Sequence, residues 1–172
     1  MGFQKNFVIA ALIAASLPWV VSPVLAADTT ETSRSCWLSY GGGGGSAGWS
    51  TGGCFSYQKG GRIIGARILY TAELHNYGIL SLSAGRDIWD LGVIYGLATH
   101  SDKGAGTVGA GIGLAGTSSE QSYKWYPALL VEVQLIDIWA PIIGGGAYIY
   151  GNLNSELPNA GVMLCLLLGD LR

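Results

Sequence analysis

The residues best suited to covalent chemistry are spread thinly along this chain of 172 residues: two histidines, His75 and His100, three cysteines, Cys36, Cys54 and Cys165, and a few serines beside glycine. Gly48-Trp49-Ser50-Thr51-Gly52 matches the nucleophile pattern G-x-S-x-G. That pattern exposes a serine only where a strand turns sharply into a helix, and no helical periodicity follows Ser50. His100-Ser101-Asp102 holds the three side-chain types of a hydrolytic triad. Adjacent residues in a short turn cannot form the relay, because the base must reach the nucleophile while a third group orients it. Gly111-Ile112-Gly113-Leu114-Ala115-Gly116 matches G-x-G-x-x-G, yet dinucleotide binding needs those glycines to open a helix within a βαβ unit. Gly41 to Gly45 lacks the Gly-Lys-Ser/Thr ending of a phosphate loop. The histidines and cysteines show no metal-ligand spacing. The sequence predicts no catalytic residue, no metal and no cofactor.

The elements around these residues explain more. Lys5 is followed by an almost wholly apolar stretch from Phe7 to Val24, then by small residues at Ala26-Ala27. This order of basic start, apolar middle and small-residue cut predicts a signal peptide over 1–26 and hence export. A retained membrane helix is the alternative, and Pro18 and Pro23 argue against it. No cysteine sits at the cut to carry a lipid anchor. A polar leader, 27–35, then precedes a single domain, 36–172. After Ala27 the chain carries eight Lys or Arg and eleven Asp or Glu, which excludes the basic face of a nucleic-acid binder.

Charged residues are only 12% of the chain while glycine numbers 28, so a surface polar enough for water is hard to build. Beyond the signal, no apolar run reaches the about 18 residues of a membrane helix. A membrane location would therefore require strands closed into a barrel, since lipid tolerates no open sheet edge. The turn spacing predicts eight strands, near Cys36 to Gly44, Ala47 to Tyr57, Arg62 to Glu73, Ile88 to Thr99, Ala105 to Ala115, Trp125 to Ile138, Ile142 to Gly151 and Asn159 to Gly169. The fold class expected is all-β, a small up-and-down antiparallel barrel. Short connections alternate with longer ones at Leu74 to Asp87, Gly116 to Lys124 and Asn152 to Pro158, as periplasmic turns and outer loops do. Ile79 to Ala84 alternates like a strand and could extend a neighbour.

Parity within the strands assigns the faces. In the sixth, Trp125, Pro127, Leu129, Val131, Val133, Leu135 and Trp139 share one side, interrupted by Asp137 near one interface, where a charge costs about 0–1 kcal/mol, and Glu132 and Gln134 share the other. An apolar band with a tryptophan at each end is the mark of a lipid-facing strand, and Trp89 in the fourth strand joins that girdle. The polar interior predicted is Arg67, Glu73, Asp90, Glu132 and Gln134, an internal network in a barrel too narrow for a channel, with alternating glycines supplying bare wall opposite. The eighth strand is apolar on both faces, which also suits a soluble barrel. Cys36 and Cys54 stand equally far from Gly45, so a hairpin centred there would set them opposite each other as a potential disulfide. Cys165 reads as a small hydrophobe.

Val93-Ile94-Tyr95-Gly96, the alternating-glycine strand, Ala147 to Ser155 with its Tyr-Gly-Asn-Leu-Asn-Ser stretch, and the closing Leu-rich strand ending Gly169-Asp170-Leu171-Arg172 follow in an order that resembles a family of uncharacterised small exported bacterial β-barrel-like proteins. The resemblance implies the barrel and export, and carries no functional residues with it. The reading is an outer-membrane barrel, expected to be a monomer in contact with outer-membrane lipid, with a structural or surface-interaction role. Two alternatives stand beside it: a soluble periplasmic barrel holding an apolar ligand, and an outer-membrane hydrolase acting on lipid acyl chains through Ser and His.

Overall fold

A computed structural model describes residues 34–77, 81–101, 103–119 and 122–171; the expected signal peptide lies outside them, as does most of the leader. Eight strands follow one another: β1 Arg34–Gly45, β2 Trp49–Lys59, β3 Arg62–Tyr77, β4 Ser81–Ser101, β5 Gly104–Ser119, β6 Ser122–Ala140, β7 Ile143–Leu153 and β8 Asn159–Asp170. Each pairs antiparallel with its sequence neighbour, and β8 returns to β1 to close the barrel. One row of partners runs Ser35, Gln58, Ile63, Gly96, Gly109, Glu132, Tyr150, Gly161 and back to β1 at Gly45, ten residues beyond its start. A stagger of that size with eight strands tilts them by roughly 40° to the axis and leaves an interior just wide enough for side chains.

Alternation makes these segments strands and fixes their register. In β3, Arg62, Ile64, Ala66 and Ile68 are exposed, and Ile63, Gly65, Arg67 and Leu69 are buried. A slip of one residue would turn Arg67 outward and Ile68 into the lumen, so the register is strongly specified. Tight turns at the terminus end help, with Gly60 at φ 56° between Lys59 and Arg62, a left-handed conformation that glycine adopts without penalty.

The strands outrun the expected loops. Leu74 pairs with Ala84 and Tyr77 with Ser81 beyond a bulge at Ala72/Leu74. Thr117 and Ser118 likewise pair with Lys124 and Tyr123. Backbone pairing continues there beyond the regular apolar band, because the ladder's hydrogen bonds are made by the main chain whatever the side chains are. The cysteine expectation is also corrected. The first hairpin pairs Arg34 with Lys59, Cys36 with Tyr57 and Ser39 with Cys54. Its centre lies past Gly45, and the odd offset puts Cys36 on the outward face and Cys54 in the lumen. All three cysteines are free thiols.

Both ends of the barrel are corked by a leucine. At the terminus end Leu171 joins Trp37, Ile63, Ala98, Ile136 and Leu167, its N–H donating to the Pro141 carbonyl at 3.0 Å. At the other end the β7–β8 loop folds inward and buries Leu157 against Ile94, Ala115, Ala128 and Leu130. Leu130 lies on a wall without side chains: a Cβ on Gly113 would fall 2.7 Å from its Cδ1, and one on Gly92 would also collide with it. Gly113→Val is therefore expected to lower unfolding stability in detergent by about 1–3 kcal/mol, the usual cost of overpacking; Leu130→Ala in the same chain should recover only the side-chain share of the loss, since a Cβ on Gly113 would also strike the Leu91 carbonyl. Urea titration followed by tryptophan fluorescence measures both; an unchanged midpoint for the single variant would contradict the packing.

Candidate functional site

The polar side chains inside the barrel converge on one crossbar. Arg67 reaches across from β3, donating from Nη1 to the Val131 carbonyl and from Nη2 to the Gly151 carbonyl, each at 3.2 Å. Val131 and Gly151 are partners on β6 and β7, so the guanidinium ties β3 to the opposite wall. Glu132 lies 4.0 Å from Nη1. The carboxylate also accepts from the Tyr148 hydroxyl and from Gln134 Nε2 at 3.0 Å. Gln134 in turn accepts from the Trp37 indole at 3.3 Å. These residues are all buried, and the charge on each partner is offset by the other and by neutral donors or carbonyls, as an interior charge requires.

A second group occupies the lumen nearer the β7–β8 loop. Asn152 donates from Nδ2 to Asp90 at 2.5 Å and to the Leu157 carbonyl at 3.3 Å. Both partners are acceptors, which fixes the orientation of the amide. Asn154 Oδ1 accepts from the Glu156 and Leu157 N–H groups at 2.7 and 2.9 Å, while its Nδ2 donates to the Pro127 carbonyl at 2.6 Å. The loop is thus held down by two asparagines. Ser50 bonds to the Tyr150 hydroxyl and, at 2.8 Å, to Thr71, which accepts from Asn159 at 2.8 Å.

Among the residues singled out from the sequence, Arg67, Asp90, Glu132 and Gln134 face the lumen. Glu73 lies on β3 at the bulge, and its side chain is outside the described residues. Trp89, Trp125 and Trp139 point outward and are exposed. Ser50 is fully buried beside the β1–β2 hairpin, whereas His100 sits beside the β4–β5 turn at the other end, opposite Ala105. The nucleophile and base of the hydrolase alternative are not brought together.

Sequence parity missed three groups. Trp37 lies inside, on the buried face of β1, and Tyr148 and Tyr150 stack with ring centroids 6.2 Å apart across the lumen's middle. Alternation in the Tyr-Gly-Asn-Leu-Asn-Ser stretch could have shown that Tyr150, Asn152 and Asn154 share a face. The glycines beneath the outward tryptophans were missed as well. A Cβ on Gly116 would fall 2.6 Å from the Trp125 ring, one on Gly42 would fall 3.1 Å from the Trp49 ring, and one on Gly145 would strike Trp139. Each ring lies down on a bare patch of the neighbouring strand, a cross-strand aromatic cover for glycine.

No family model matches this chain, and no curated protein does. Solved structures do. The N-terminal β-barrel domain of Pseudomonas aeruginosa OprF is similar at 14% identity and a TM-score of 0.56, over 78% of this chain and 96% of that one. Neisserial surface protein A is similar at 11% and 0.54, over 78% and 94%. Ail, the attachment invasion locus protein of Yersinia pestis, is similar at 14% and 0.51 in its complex with the heparin analogue sucrose octasulfate, over 79% and 96%. At these identities the likeness is one of fold: a closed, eight-stranded, antiparallel up-and-down barrel.

Proposed function

We propose that this chain is an outer-membrane barrel with a structural or surface-interaction role, performing no catalysis and conducting no solute. The observation that carries this reading is the inversion of its two faces. Leu38, Phe55, Ile68, Val93, Ile112, Leu129, Leu153 and Leu164, one on each strand, stand exposed around the whole circumference, while Arg67, Asp90, Glu132 and Gln134 are enclosed. In water such an outer surface would be an aggregation hazard far above the few hundred Å² a soluble monomer exposes. In hydrocarbon it is the natural solvent-facing side.

Dimensions support the same reading. Strands β1, β2, β7 and β8 have 11 or 12 residues, close to the about 9–11 that cross a bilayer at this tilt. Trp89 and Trp125 flank Gly116 on one row towards the hairpin end, and Trp139, Tyr57 and Tyr95 lie towards the terminus end, two belts where amphipathic rings prefer to sit. OprF, Neisserial surface protein A and Ail carry the same barrel, which supports an outer-membrane location and a surface role. The soluble-barrel alternative needs a lumen open to a ligand; here Arg67, Glu132, Tyr148 and Tyr150 occupy it and a leucine closes each end.

Two outcomes test this. On fractionation the mature protein should stay with outer membranes and leave them only in detergent, migrating faster on gels unheated than boiled; release by osmotic shock alone would overturn the reading. Inside, Arg67→Met should destabilise the barrel by about 3–5 kcal/mol, because Glu132 is left as a buried charge without its counter-ion. Adding Glu132→Gln should restore much of that loss, giving a large coupling in a double-mutant cycle of denaturant midpoints; additive losses would mean that the two do not act as a pair.

A further inference from the structure

The outward face carries a row of residues that barrel packing does not require. It starts at the terminus end with three cations on consecutive strands, Arg34 opposite Lys59 and Lys59 opposite Arg62, all exposed. The same row continues through Leu97, Val108, Val133 and Ile149 and reaches β1 again at Gly44. Because the strands tilt, a row perpendicular to them climbs like a ramp from the rim toward the middle of the wall. From Arg62 to Ile149 it takes four interstrand steps, about 19 Å at the usual spacing.

Along this ramp the wall is hollowed. A groove of about 320 Å³ is lined by Tyr95, Leu97, Val108, Ala110, Val133 and Ile149 among others. Val133 is its floor: it points outward like Leu129 and Leu135, yet is 3% exposed against their 49% and 44%. Arg62 stands at the foot, donating from Nη1 to the Tyr95 hydroxyl at 2.8 Å with its guanidinium carbon 6.0 Å from that ring's centre. The cation is thus held beside the apolar groove. Among the described residues, Lys59 and Arg62 are in no ion pair, and the exposed carboxylates at this end, Asp137 and Asp170, lie on β6 and β8. Arg34 is nearer to Asp170, which stands opposite Cys36 on β8.

We propose that this ramp binds an anionic phospholipid of the leaflet at the terminus end, with the phosphate on Lys59 and Arg62 and one acyl chain lying up the groove from β4 to β7. Charge complementarity selects the headgroup, and the length and apolar lining of the groove select the chain. A second copy of the protein is a poorer occupant. A two-fold interface through this face would bring the same cations of both copies together at one level. The inference rests on the membrane reading, and its test separates the two.

The mature barrel is refolded into dimyristoylphosphatidylcholine vesicles carrying a trace of spin-labelled phosphatidylglycerol or phosphatidylcholine, and the motionally restricted lipid is quantified by electron paramagnetic resonance. Phosphatidylglycerol should associate more strongly by roughly fivefold per engaged cation. The preference should vanish in Lys59→Gln/Arg62→Gln, and Ala110→Phe, which fills the groove from outside, should reduce the restricted fraction with both cations in place. Equal association of the two lipids, a preference that survives the double variant, or an unchanged fraction in Ala110→Phe would overturn the site while the inserted, heat-modifiable barrel stands. Cross-linking that buries Val133 between two copies would overturn it in favour of a dimer. A chain that does not insert at all would remove the membrane reading and this site with it.

Discussion

Closure of eight strands with a ten-residue stagger is the constraint from which the rest follows. A closed sheet has no edge, so every backbone group in the wall is paired by its neighbours. The same closure fixes a radius that admits side chains and little else. Whatever faces inward must then interlock. Large residues such as Arg67, Leu130, Tyr148 and Tyr150 need small ones opposite, and Gly92 and Gly113 are set where Leu130 lies. The glycine content, unusual for a soluble domain, is the cost of filling a tube this narrow without strain.

Within that tube the charged crossbar has a specific task. Burying an ion pair is at best weakly stabilising compared with apolar packing. An apolar interior inside an apolar exterior would, however, leave the strands no face preference at all, since either parity would suit either side. One arginine bonded to carbonyls of two opposite strands removes that ambiguity: inverted, it would be stranded outside with no acceptors. Polar contacts spaced along the lumen, from Trp37 with Gln134 to Asn159 with Thr71, repeat the instruction strand by strand. Even β8, apolar on both faces, is oriented by its neighbours, with Met163, Cys165 and Leu167 inward and Val162, Leu164, Leu166 and Leu168 outward.

Much of this was legible in the sequence because alternation is local. The parity of Glu132 against Leu129, or of Arg67 against Ile68, needs only a few residues to read, whereas β8, apolar on both faces, shows as a strand by its length between turns. What was not legible depends on register between strands. The pairing of Ser39, not Cys36, with Cys54 turns on where the first hairpin bends among several glycines, none of which marks the bend. Gly116 shares the parity of Ile112 and Leu114, Gly42 lies in a run of five glycines and Gly145 in a run of three, and only the register shows that a tryptophan from the next strand lies over each. Val133 has the parity of an exposed residue and the burial of a core one, because the concavity around it is made by three other strands. The extensions of β3 and β4 carry only the short alternation at Ile79 to Ala84, and those of β5 and β6 carry none, so the full length of these strands is revealed by continued backbone pairing.

Those extensions bear on where recognition can occur. The interior offers little exchangeable surface: its large side chains fill it, and Leu157 and Leu171 close it. The wall below belongs to whatever apolar medium surrounds it. What remains is the hairpin end, and there the barrel is lopsided. Strands β4 and β6 have 21 and 19 residues, against 11 or 12 in β1, β2, β7 and β8, so one side of the rim rises well above the other. A raised pair of hydrogen-bonded hairpins is stiffer than a loop of the same length, since its backbone groups are already spent on each other and little entropy is left to lose on contact. The low side is pinned by Asn152 and Asn154. Below that rim the Arg67 guanidinium, bonded to the Val131 and Gly151 carbonyls, ties β3 to the wall formed by β6 and β7, so the long strands rise from a part of the barrel that is braced across its lumen.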